Sequence, residues 1–211
     1  HDAVTQTLFS ASLIAEALPS SWEIDQGEGQ QLLKELQQLT RGALAEMRTL
    51  LLELRPTALV EANLIDLLRQ LGEAAMGRMG VPVEVAVEGT CVLPPEVQVT
   101  LYRIAQEAMN NVVKHARASQ VGMSLRCTPL LSPHDLPDGE EGSRQRVELC
   151  IRDDGRGFEP GEVAPDHLGL GIMRERAEAI GAELTVESEP GLGTQVMAVW
   201  VGDEGRMTED G

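Results

Sequence analysis

The chain has 211 residues, enough for one large domain or two small ones, and 42% hydrophobic content gives it material for a core. Seventeen basic against thirty-four acidic residues leave a net charge of −17, which argues against nucleic acid or an anionic membrane surface as a partner. Aromatics are only 2%, too few for a platform on which single-stranded bases stack, so aliphatic side chains and Met must fill the interior. Cys91, Cys127 and Cys150 are scattered and form no C-x-x-C pair. That pattern predicts reduced thiols buried as small hydrophobes, as in a cytoplasmic chain, rather than a disulfide frame or zinc site. No apolar run approaches the roughly 20 residues needed to span a bilayer, and there is no signal peptide. The opening HDAVTQTLF already has a helix-like pattern without an initiator Met, which predicts a piece of a longer protein.

Residues 1–56 are predicted to form a helical hairpin. Val4, Leu8, Ala11, Ala15 and Leu18 recur every three or four positions, and Pro19-Ser20-Ser21 with Gly27 and Gly29 supply breakers. A second helix is expected over about 30–54, with Leu32, Leu36, Leu39, Ala43, Met47 and Leu50 on one face. Such a hairpin has little core of its own and would gain by pairing with a copy of itself into a four-helix bundle; packing onto the rest of the same chain is the alternative.

Pro56 ends that pattern. Beyond it, residues 63–78 read as a short helix, Val81 to Val87 alternate as a half-buried strand, and Pro94-Pro95 open a helix reaching about Ala116. Val121 to Cys127 alternate again, 128–146 read as a polar loop, and 147–151 form a third strand. A helix near 171–181 and strands near 183–188 and 194–201 follow, then an acidic tail over 202–211. This order predicts an α+β domain over 57–201, an α/β sandwich whose mixed sheet carries helices on one face.

Four segments could carry chemistry. In Arg103–Ala116, Glu107 and Asn111 sit four apart and Lys114 three further on, placing an acid, an amide and an ammonium on one helical face. Those groups suit a hydrated cation bridging phosphate oxygens, although a solvated i,i+4 cluster gives the same spacing. Asp153-Asp154-Gly155-Arg156-Gly157 follows a strand, where a carboxylate can accept from an exocyclic amine and glycines let a flat ring approach. Gly169 and Gly171 precede a helix, whose N-terminal N–H groups suit an anion. Gly191-Leu192-Gly193-Thr194 lies between two strands. Each alone is an ordinary turn or helix entry.

Together and in this order they resemble the ATP-binding domain of the histidine kinase, gyrase and mismatch-repair ATPase superfamily (the GHKL or Bergerat fold). The resemblance implies ATP and Mg²⁺ as cofactors. It implies that Asp153 binds the adenine amine with Thr194, and that Gly155, Gly157, Gly169 and Gly171 line the nucleotide. It further implies that Asn111 ligates the metal with Glu107 close by, that Lys114 and its neighbour His115 face phosphate, and that residues 156–168, with His167, form a short lid. His134 falls in the polar loop with no role, and Trp22 and Trp200 read as packing residues.

His1-Asp2-Ala3-Val4-Thr5-Gln6 is similar to the H-D-x-x-x-Q motif of sensor kinases resembling the nitrate sensors and the DesK thermosensor. By that likeness His1 accepts phosphate, Asp2 orients or deprotonates it, and Gln6 positions water for dephosphorylating a partner. The expectation is an ATP-dependent protein-histidine kinase. It works as a homodimer and passes phosphate to a response regulator with helix-turn-helix output, without contacting nucleic acid or membrane itself. A gyrase-like ATPase and a non-catalytic scaffold are the rivals.

Overall fold

A computed structural model describes residues 2–54, 56–130, 144–159 and 168–203. Helix α1 (Asp2–Ile24) packs along α2 (Gln26–Leu54), and Asp25 alone separates them. The expected break at Pro19 does not occur. Pro19 lies on the exposed side of α1, where the carbonyl its missing N–H leaves free can bond water. Asp25 makes the reversal: its carboxylate accepts the Gly27 N–H at 2.7 Å, and its carbonyl accepts the Gly29 N–H at 3.0 Å. Trp22 lies over Gly29, where a methyl group would fall 2.6 Å from the ring. Ala11 and Ala43 are buried, whereas Leu8, Phe9, Leu13, Leu44 and Met47 stand 44–64% exposed.

A short helix α3 (Pro56–Glu61) leads to α4 (Leu64–Met79). Asn63 caps α4 by accepting the Ile65 N–H at 2.8 Å, and Gly80 closes it at φ 67°. Helices α2 and α4 cross where Gly42 and Gly77 meet backbone to backbone: a methyl on either would lie 2.5–2.7 Å from the other's Cα. This packs the hairpin on the rest of the chain, the alternative the sequence left open, while Leu8, Phe9, Leu13, Leu44 and Met47 remain exposed.

Strands β1 (Val83–Glu88), β2 (Val121–Pro129), β3 (Arg144–Asp153), β4 (Glu183–Glu189) and β5 (Gly193–Asp203) form one sheet in the order β1-β2-β3-β5-β4. Only β1 and β2 run parallel. Helices α4, α5 (Pro95–Asn111) and α6 (Leu168–Ala179) cover one face, as the alternation of apolar residues predicted. The inward face is built in rows, Leu125-Leu149-Ala198-Leu184 and then Met123-Ile151-Val196-Val186. Trp200 is buried beside Gly202, a packing residue as expected.

The cysteine expectation needs correction: Cys91 and Cys127 are bonded, with Cα atoms 5.5 Å apart, and Cys150 is free. They lie 36 residues apart, but β1 runs parallel to β2 with Glu88 opposite Arg126, so Cys91 arrives beside Cys127 just beyond that pair. The same loop is held again where the Gln145 amide donates to the Val92 carbonyl. Closing a loop of that length removes denatured-state entropy, so Cys91→Ser is expected to lower stability by about 2–4 kcal/mol. Thermal melts with and without reductant check this: the parent should shift and the variant should not.

Candidate functional site

The inward rows of the sheet end in chemistry. The next row is Val121-Asp153-Thr194-Ser188, paired in register across β2, β3, β5 and β4. Directly opposed residues project from the same face, so a carboxyl and two hydroxyls continue the stripe that aliphatic side chains begin. Asp153 is only 4% exposed. Its carboxylate accepts the Gly155 N–H at 2.9 Å and the Thr194 N–H. Burial pushes its carboxyl above the usual carboxylate range, and the two N–H groups offset part of that rise.

Beside it, Glu189-Pro190-Gly191-Leu192 closes the β4–β5 hairpin. The Leu192 N–H donates to the Glu189 carbonyl at 3.0 Å and Gly191 has φ 84°, with proline second and glycine third as a type II turn requires.

Helix α5 meets this row through its C-terminal end. Beyond Asn111 the chain continues through Val112–Ala116 as a wide π-helical turn, a local widening frequent at functional sites. The Arg156 N–H donates to the Ala116 carbonyl at 2.8 Å. Gly155 lies over the same oxygen, where a methyl would come within 2.3 Å. Asp154 secures the junction from outside: it accepts the N–H groups of Ser119 and Gln120 at 2.8 and 2.9 Å and the Ser119 hydroxyl at 2.5 Å. Those bonds, the Ser119 hydroxyl first, hold its carboxyl below the usual range.

Further along α5, Glu107 and Asn111 are half-buried, one turn apart. The start of α6 sits on them: a methyl at Gly169 would lie 2.3 Å from Glu107 Oε1 and 3.5 Å from Asn111 Nδ2. Asp153, Gly155, Gly157 and Thr194 therefore gather at one end of a shared face, and Glu107, Asn111 and Gly169 gather on α5 and α6.

Other expectations change. Gly169 and Gly171 lie within the first turn of α6, which begins at Leu168, rather than ahead of it. Lys114 and His115 are exposed on the π turn, where each residue advances by a smaller angle than in an α-helix, so the spacing that put Lys114 over Asn111 does not carry through. His1, His134, His167, residues 160–167 and 204–211, and the side chains of Asp2 and Gln6 on α1 lie outside the described residues. Sequence reasoning missed Asp154 and Ser188. Ser188 was reachable, since it keeps step with Leu184 and Val186 on the inward face of β4.

Residues 96–203 match the family of histidine kinase-, DNA gyrase B-, and HSP90-like ATPases, and residues 1–59 match a histidine kinase family. The chain belongs to the histidine kinase, DNA gyrase B and HSP90-like ATPases. It is 34% identical over 198 residues to the sensor histidine kinase YhcY of Bacillus subtilis (strain 168), covering 93% of this chain and 46% of that protein. It is 31% identical over 196 residues to the sensor histidine kinase LiaS of the same strain, covering 93% and 50%. It is 27% identical over 200 residues to the signal transduction histidine-protein kinase/phosphatase DegS of Brevibacillus brevis, covering 93% and 48%. The chain thus spans about half the length of the curated relatives it matches.

In this ATPase family member the buried Asp153 carboxyl bears on stability. Its folded-state pKa lies above the unfolded value, so the ionised form opposes folding above the folded pKa, and that penalty fades as pH falls toward the unfolded value. Asp153→Asn keeps an oxygen for the Gly155 N–H. It is expected to raise the melting temperature of the unliganded protein at neutral pH, with the gain shrinking on acidification. The same substitution is expected to weaken ATP binding on the order of 100-fold. Melting curves across pH and equilibrium titration with ATP measure the two effects.

Proposed function

We propose that this chain is the core of a sensor histidine kinase that binds ATP with Mg²⁺, phosphorylates His1 and passes the phosphoryl group to an aspartate of a response regulator. The division is taken as a phosphotransfer hairpin over 1–56, an ATP-binding domain over 57–201 and a tail over 202–211. The observation that best supports this reading is the junction at Ala116. It joins the helix of Glu107 and Asn111 to the turn that follows Asp153, so one nucleotide can reach both.

The residues suit the assigned groups. Asp153, buried and bonded among the described residues by two N–H groups, would retain lone pairs for an exocyclic amine, and Thr194 stands next to it in register. Among the described residues no three His, Cys, Asp or Glu side chains are grouped to enclose a metal. Glu107 and Asn111 would therefore hold Mg²⁺ from one side, with phosphate oxygens and water completing its shell, which is how this ion is usually held. When bound, the ion screens the charge of the phosphates during transfer. The first-turn N–H groups of α6, at Gly169 and Gly171 without side chains of their own, suit phosphate oxygens, and Lys114 and His115 are assigned to the phosphate side.

At the acceptor, neutral imidazole is a competent nucleophile near neutral pH, and Asp2, next in sequence, is assigned to orienting or deprotonating it. Gln6 is assigned to orienting water for dephosphorylation of the regulator, a reading supported by the kinase/phosphatase name of the DegS relative. The exposed Leu8, Phe9, Leu13, Leu44 and Met47 are assigned to a second copy of the hairpin, which would bury them in a four-helix bundle. Among the described residues no helix is long and apolar enough to cross a membrane. We assign the chain to the cytoplasm, facing a regulator with helix-turn-helix output, with no nucleic acid or membrane contact of its own.

Incubation with Mg-ATP labelled on the γ-phosphate is expected to give an acid-labile, base-stable phosphoryl protein. His1→Gln should abolish the label while leaving ATP affinity within about twofold, as expected for a residue outside the binding free energy. Nucleotide hydrolysis without any protein-bound label would instead indicate a gyrase-like ATPase. Binding without either would indicate a scaffold.

A further inference from the structure

Ser188 is absorbed by none of the roles above, yet its hydroxyl has three partners. It accepts the Phe158 N–H at 2.9 Å, it donates to the Gly193 carbonyl at 3.0 Å, and it lies 2.9 Å from the Thr194 hydroxyl. It is half-buried on the same inward row as Asp153 and Thr194.

Proton counting fixes the direction of every bond in this cluster. A serine hydroxyl has one proton and two lone pairs. The Gly193 carbonyl can only accept, so the Ser188 proton goes there. One lone pair is taken by the Phe158 N–H, which can only donate. The remaining lone pair faces Thr194, so the Thr194 hydroxyl must spend its own proton on Ser188. Thr194 then offers nothing but lone pairs to a base placed beside it, and the Asp153 carboxylate next to it is likewise an acceptor. A water held between the two would give both its protons to them and turn its lone pairs outward.

We infer that Ser188 is the specificity-determining residue of the base site: by consuming the Thr194 proton, it makes the site accept only, and so selects a purine with an amine rather than a carbonyl at position 6. Ser188 touches no substrate in this scheme and acts as a positioning residue through Thr194. The inference rests on the reading that Asp153 and Thr194 hold the nucleotide base. Its basis is that an unpaired carbonyl facing two acceptors leaves buried polar groups without partners, the circumstance in which sites discriminate most strongly.

The test compares equilibrium affinities of the full chain for ATP and ITP, which differ at that position. The parent is expected to prefer ATP strongly. Ser188→Ala frees the Thr194 proton to turn toward the cavity and is expected to shrink the ATP-to-ITP preference by about tenfold. Ser188→Thr, which keeps the hydroxyl, should restore the preference. Thr194→Val should shrink it as much as Ser188→Ala does, and the double variant should lose no more than either single one. The Thr194 variant also carries the test if Ser188→Ala does not fold. Equal weakening of ATP and ITP in Ser188→Ala, or no change in their ratio, would overturn the inference and leave Ser188 a structural residue. If Asp153→Asn binds ATP as well as the parent, the base-site reading falls, and this inference with it. If Asp153→Asn loses ATP while Ser188→Ala keeps the full preference, only the Ser188 inference falls.

Discussion

The Ala116 carbonyl holds the two halves of the site at a fixed separation. It belongs to the last turn of the α5 segment, where helix carbonyls have no partner within the helix, and it accepts the Arg156 N–H under a glycine with no side chain to push it away. A buried carbonyl without a donor costs about 1–3 kcal/mol, so the turn after Asp153 is drawn onto the end of α5. The π turn over Val112–Ala116 and the left-handed Arg117 at φ 53° then bring the chain out toward β2. Asp154 braces the same junction through Ser119 and Gln120. Asp153 and Asn111 are thereby positioned relative to one another by backbone, with the intervening sheet filled by aliphatic rows.

The hairpin packs on this unit chiefly through α2 and α4. Gly42 and Gly77 let α2 and α4 approach backbone to backbone, and Gln38 reaches the Met76 carbonyl at 3.5 Å. On the other side of α4, the Gln98 amide of α5 donates to the Leu59 and Ala62 carbonyls at 2.6 and 2.8 Å, tying the short helix after the hairpin to the helix that bears Glu107 and Asn111. Helices α2, α4, α3 and α5 thus form a continuous packed path from the hairpin to the helix that bears Glu107 and Asn111.

What could be read from the chain alone was what repeats locally. Alternation marked β1, β2 and the inward face of β3, and Pro94-Pro95 marked the start of α5, because both depend only on near neighbours. The acid–amide pair Glu107 and Asn111 was visible for the same reason. Features that depend on which strands lie side by side were not visible. Cys91 and Cys127 are neighbours only because β1 pairs with β2. Ser188 matters only because β5 lies between β4 and β3, aligning it with Thr194 and Asp153. Pro19 misled for a different reason: a proline breaks a helix where the lost hydrogen bond is buried, and this one is exposed. The π turn left no mark on hydrophobic spacing, so Lys114 was assigned to a face by an α-helical rule that ceases to hold three residues before it.

A chain with a net charge of −17 is an unexpected host for a polyanion, and the alternation of the strands bears on that difficulty. In β4 the exposed Glu187 and Glu189 alternate with the inward Val186 and Ser188, and in β3 the exposed Arg152 alternates with the buried Asp153. The row that pairs Arg152 with Gln195 and Glu187 therefore faces away from the row of Asp153, Thr194 and Ser188. Acidity at this end of the sheet is thus divided between two faces, with a cation beside it on the outer one and a single carboxyl in the inner row. In the proposed site the inner row would meet the base through Asp153, while the first turn of α6, whose dipole favours anions, would meet phosphate. By turning Glu187 and Glu189 outward, the pleat keeps most of the local negative charge off the face that would have to accept a polyanion.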